Sequence, residues 1–73
     1  MSLKKLYQEH FDCIQKEFGI IINKASDIDC LDTEIFNSLY DMMSDIEESE
    51  EYANDRGLLA SDVVTYMLTL IQD

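Results

Sequence analysis

Three stretches of the chain carry apolar residues at helical spacing. Stepping about 100° per residue from Leu3 gathers Leu3, Tyr7, His10, Phe11, Ile14, Phe18, Ile21 and Ala25 on one stripe. This predicts a first helix from Ser2 or Leu3 to about Lys24. Gly19 costs about 1 kcal/mol inside a helix, so a break at Gly19 is the alternative. The stretch from Ser26 to Asp32, SDIDCLD, reads as a loop, because its Ser and Asp side chains compete for the backbone. Asp32 or Thr33 can cap a second helix, and Glu34 suits its electropositive first turn. Phe36, Leu39, Met42, Met43 and Ile46 form the apolar stripe of that helix, with Ile35, Asp41, Asp45, Glu48 and Tyr52 read onto a different face. The acids of Glu47-Glu48-Ser49-Glu50-Glu51 oppose the negative C-terminal dipole, so the helix should end or fray there. YANDRG, Tyr52 to Gly57, is expected as a loop or short irregular helix. The last helix begins between Asp55 and Ser61 and runs to about Gln72, on a stripe of Leu59, Val63, Tyr66, Met67 and Leu70 widened by Ala60, Val64 and Ile71. Ser61, Asp62, Thr65, Thr69 and Gln72 are its expected exposed positions, and the helix is expected at the centre of the core.

The elements add up to an all-α fold, a small antiparallel three- to four-helix bundle forming a single domain over residues 1–73. The chain has no proline and two glycines, so it lacks the residues that sheet turns lean on. Gly19-Ile20-Ile21-Ile22 is the one strand-like run, and it has no convincing partner. At 73 residues a single core supplies only about 3–5 kcal/mol of net stability.

Charge changes the picture from fold to function. Sixteen acids face five Lys and Arg, for a formal net charge of −11. The excess is local. Residues 26–55 hold Asp27, Asp29, Asp32, Glu34, Asp41, Asp45, Glu47, Glu48, Glu50, Glu51 and Asp55 and no base. Nucleic acid and anionic membrane surfaces are polyanions, so direct contact with either is disfavoured and a basic protein partner, or a divalent cation, is favoured. The stretch serves either as a solvated helix face or as a docking patch, in which Ile35 and Tyr52 would be amphipathic anchors ringed by carboxylates. Tyr52 would otherwise close the end of the core.

The chemistry-bearing residues are few. His10 and Cys13 are three apart on one helical turn, but two ligands do not make a metal site, and His10 sits within the apolar stripe as a core-edge residue. Neither Cys13 nor Cys30 has a directly adjacent histidine or a basic cluster in sequence, and both read as small packing residues. Asp27, Asp29 and Asp32 have a DxDxxD look, yet lack the ligand ladder, central glycine and terminal glutamate of a calcium loop. With one histidine and no phosphate loop or nucleophile elbow, the chain is not expected to be an enzyme, and no metal or cofactor is expected. No run approaches the ~20 apolar residues of a membrane span, and Glu9, His10 and Asp12 interrupt any signal-peptide run. A cytoplasmic location follows, where free thiols are ordinary.

From about Asp32 to Ile71 the layout resembles a known family. An amphipathic helix (Ile35, Phe36, Leu39, Tyr40, Met43) leads into an acidic stretch through Glu51 and Tyr52. Asn-Asp-Arg-Gly-Leu-Leu at 54–59 then opens a last helix carrying Val63, Met67 and Leu70. This arrangement is similar to the colicin D-like bacterial self-protection immunity proteins, small acidic helical bundles that block a basic tRNA-cleaving toxin with carboxylates standing in for RNA phosphates. The resemblance implies that Asp41, Asp45, Glu47, Glu48, Glu51 and Asp55 meet Lys and Arg of a nuclease while Tyr52 packs into its cleft. Two other readings stand beside it. One is a phage-type nucleic-acid mimic that inhibits a DNA-binding enzyme. The other is a small regulatory subunit that forms a homodimer through exposed Ile20, Ile22, Leu58 and Leu68.

Overall fold

Helix boundaries in this chain are set by caps and by one glycine. The computed structural model describes residues 5–50 and 54–72, the last without its side chain. Within them lie four helices and no strand: α1 (Gln8–Phe18), α2 (Ala25–Asp29), α3 (Thr33–Glu50) and α4 (Asp55–Gln72). The all-α bundle expected from periodicity is the fold observed. No helix among the described residues is long and apolar enough to cross a membrane.

The first helix is shorter at both ends than its stripe suggests. Ser2 and Leu3 lie outside the described residues, and residues 5–7 are not helical. Tyr7 is extended at φ −121° and ψ 175° and caps α1, its N–H donating to His10 Nδ1 at 2.9 Å. Glu9 in the first turn and Lys16 in the last both suit the helix dipole. At the far end Gly19 adopts φ 86°, its N–H closing on the Gln15 carbonyl at 2.9 Å. That left-handed residue stops the helix, so the break at Gly19 holds and the run to Lys24 does not.

The segment after Gly19 is not helical, and it inverts the expected phase. In non-helical, extended chain neighbours tend to face opposite sides. Ile22 enters the core at 4% exposure, while Ile21, counted into the helical stripe, is 69% exposed. Ile22 is therefore buried and Ile20 half-buried, which removes both from the expected dimer surface. Leu58 and Leu68 are exposed as anticipated.

The expected loop from Ser26 to Asp32 contains α2. Asp27 Oδ2 accepts the N–H groups of Asn23 at 3.1 Å and Lys24 at 3.3 Å, so the polar residues that suggested a loop cap a helix instead. A five-residue helix is unstable alone. Fully buried Ile28 anchors it, and the Tyr66 hydroxyl donates to the Ala25 carbonyl at 3.4 Å.

α3 begins where sequence placed it. The Asp32 carbonyl accepts the first helical bond, from Phe36 N–H at 2.7 Å. Leu39, Met43 and Ile46 are buried, Phe36 and Met42 partly so. The helix persists to Glu50, through most of the acidic run. α4 then starts at the early limit of its expected range, taking in residues 55–57 that sequence assigned to a connection. Asn54 caps it, with Oδ1 accepting Gly57 N–H at 3.0 Å and its carbonyl accepting Leu58 N–H at 3.2 Å.

α4 packs against both α3 and α1, and its buried side is accordingly wide. Ala60, Val63, Val64, Tyr66 and Met67 all lie in the core with Ile14, Ile28, Leu39 and Met43. Ser61, expected at the surface, is buried because this double packing extends past the apolar stripe.

Candidate docking surface

The solvent side of α3 carries the acids that sequence singled out, but not all of them. Asp41, Asp45 and Glu48 stand at i, i+4 and i+7, opposite Leu39, Met43 and Ile46, and all three are exposed. Glu34 continues the row toward the start of the helix and is also exposed. Glu47, expected as a partner contact from the resemblance alone, lies off this row. It follows Met43 by four residues, so it lies over the core-facing side and is half-buried. Ile35 is exposed, yet about 120° around the helix from Asp41, nearer the core-facing side than the row. Glu51 and Tyr52 fall outside the described residues. Asp55 is exposed on the first turn of α4, in a hollow lined also by Tyr7, Glu9, His10, Leu58 and Asp62.

Other acids of the 26–55 stretch serve the fold. Asp27 caps α2, as above. Glu50 meets Arg56, with Oε2 2.8 Å from Nη1. Arg56 also grips Glu17 with two donors, Nε to Oε2 and Nη2 to Oε1, the latter at 2.9 Å. One guanidinium thus ties the end of α1, the end of α3 and the start of α4 together. Its hydrogen bonds hold the Glu17 carboxyl below the usual glutamate range. The same bonds, to Glu17 first and Glu50 second, push the Arg56 pKa up. Lys5, Lys16 and Lys24 are exposed, and the described ion pairs join none of them to Asp41, Asp45 or Glu48.

His10 is buried and fully engaged. Nδ1 accepts the Tyr7 N–H, so this nitrogen carries no proton, and Nε2 donates to Asp62 Oδ2 at 2.9 Å. The pair resembles a histidine–carboxylate orienting couple, and the buried Cys13 lies three residues further along α1. Burial pushes the Cys13 thiol up, and the Glu17 charge adds to this. Cys30 is exposed at the end of α2. Among the described residues no group of three or more His, Cys, Asp or Glu is placed to hold a metal.

Sequence reasoning missed the Arg56 hub and the Tyr7–Leu58 hollow. The first left a faint signal, since Arg56 is the single base after residue 25. Its partner Glu17 lies 39 positions away, and no local pattern joins them. Comparison with known proteins adds nothing here: no family model matches the chain, and no curated protein or solved structure does.

Proposed function

We propose that this chain is an acidic helical inhibitor that lays the outer face of α3 onto a basic protein, and that its target is a nuclease toxin of the kind opposed by colicin D-like immunity proteins. The observation that carries the reading is the row of Asp41, Asp45 and Glu48, exposed along one side of α3 and joined to no cation in the described ion pairs. Such a row raises the folding cost through self-repulsion, and a cationic partner relieves it. Glu34 extends the row, and Asp55 contributes from α4. Glu47 stands half-buried at the margin, and Glu51 and Tyr52 follow in the segment beyond Glu50. The target's Lys and Arg would otherwise hold RNA phosphates, so occupying them blocks cleavage without any chemistry by the inhibitor. The setting for this role is the cytoplasm, where the toxin's substrate lies.

The test is a comparison of the wild type with the double reversal Asp45→Lys, Glu48→Lys as baits in an extract of the source cells. The expected result is a basic nuclease retained by the wild type and lost by the variant, with association on the recovered partner slowed about tenfold or more at low salt. Helical circular dichroism should be equal in the two. Retention by both baits removes the acidic face from the account. A basic partner that is a DNA-binding enzyme transfers the same face to the phage-type inhibitor reading.

A further inference from the structure

The acidic row opens onto a groove. A hollow at its edge is lined by Asp45, Glu48, Glu17 and Arg56, with Met42 and Ile46 between them. Glu17 and Arg56 also line a second hollow along the α1–α4 seam, which continues to Glu9 and Leu59. Those two residues in turn line the third, which ends at Tyr7, Asp55 and Leu58. Shared walls join the three into one path from the rim of α3 to the start of α1. Among the described residues seven carboxylates line it against two cations, Lys16 and Arg56, and Arg56 is already held by Glu17 and Glu50.

The far end supplies what the row on α3 lacks, exposed apolar anchors. Tyr7 is 54% exposed and Leu58 42%. The Lys5 ammonium stands 5.5 Å from the Tyr7 ring centroid, so a cation from the chain itself already occupies this aromatic face. An aromatic ring, a leucine and flanking carboxylates match both parts of a long basic side chain, the apolar stem and the charged head. A second copy of this chain is the wrong occupant, because each copy carries a net charge of −11.

We propose that this groove receives an extended lysine- and arginine-bearing segment of the basic partner, with one of its cations displacing Lys5 from Tyr7. The inference rests on the reading of a basic partner and adds where that partner's chain runs. A flat basic face would engage α3 alone, whereas Asp55 joins Asp45 and Glu48 only along the seam.

The experiment follows backbone amide shifts of the full chain during titration with an octapeptide of alternating Lys and Arg at physiological salt, with a poly-Glu octapeptide as control. Shifts at Tyr7, Glu9 and Leu58 together with Asp45 and Glu48 are expected. Tyr7→Ala and Leu58→Ser should each weaken binding about five- to tenfold with unchanged circular dichroism, and Lys5→Ala should tighten it by removing the internal competitor. Shifts confined to α3 overturn the groove and leave the α3 face standing. Shifts confined to the Tyr7 end overturn both the continuous groove and the α3 face. No shifts, or shifts equal to those with poly-Glu, overturn both, and binding indifferent to Tyr7→Ala and Leu58→Ser overturns the anchor.

Discussion

Gly19 decides the shape of the N-terminal third. Its φ of 86° lies in the left-handed region, where a side chain costs about 1–2 kcal/mol. A Cβ built there meets nothing within 4 Å, so a substitution is opposed by the backbone alone. Gly19→Ala should therefore lower unfolding free energy by about 1–2 kcal/mol in urea titration, and Gly19→Asn by less, since Asn tolerates this conformation. Equal stability of the alanine variant and the wild type would mean the turn relaxes into another form. Sequence showed that a glycine interrupts the stripe, but not whether the helix would absorb it. The answer turned on Ile22, which gains full burial only if the chain leaves the helix and lets Ile21 face water. Helical phase alone favoured the opposite residue. His10 was more readable: its place in the apolar stripe foretold burial, though not that Tyr7 and Asp62 would use both ring nitrogens.

Among the elements, length separates what periodicity reveals from what it hides. α3 and α4 each run eighteen residues, long enough for their stripes to repeat and fix their inward faces. α2 has five residues and a single buried one, so it has no period to detect. It exists through tertiary contact, chiefly Ile28, together with the cap from Asp27. Ile28→Ala should cost about 2–5 kcal/mol, comparable with the whole net stability of a domain this small, about 3–5 kcal/mol. The variant should be largely unfolded by thermal circular dichroism, while Ile28→Val, at about 0.5–1.5 kcal/mol, stays folded with a lowered midpoint. A cooperative transition for Ile28→Ala close to the wild-type midpoint would show that α2 is dispensable to the core. The same logic governs the docking row. Asp41, Asp45 and Glu48 were legible because i, i+4 and i+7 lie on one helix, whereas Glu47 was expected from the family resemblance alone, and helical phase sets it about 100° from Glu48, toward the core-facing side.

At the scale of the whole molecule, stability depends on a few groups whose protonation differs between folded and unfolded chains. Glu17 titrates near 4.5 when unconstrained and lower in the fold, because Arg56 hydrogen-bonds its charged form. A depressed carboxyl stabilises the fold above its unfolded value, and that contribution disappears as pH falls through the folded value. Cys13 and Tyr66 behave oppositely. Burial raises the Cys13 thiol above 9.0 and the Tyr66 hydroxyl above 10.0, with Asp29 adding to the latter. Their contributions are complete below those unfolded values and drain away as pH climbs through the folded ones. Unfolding free energy should therefore be level through neutral pH and decline on both sides, below about 4.5 and above about 9. The crowd of carboxylates on α3 works against the acid decline, since protonation relieves its self-repulsion. The difference between wild type and Glu17→Gln isolates the Arg56 contribution from that background. Glu17→Gln should be less stable at pH 7, and its curve should converge on the wild type as pH falls below 4.5. Parallel curves down to pH 3 would mean that the clasp joining α1, α3 and α4 contributes nothing through charge. On the alkaline side Tyr66→Phe should flatten the decline above pH 10 while leaving the acid limb unchanged, because the phenolate that burial disfavours is no longer available to the unfolded chain.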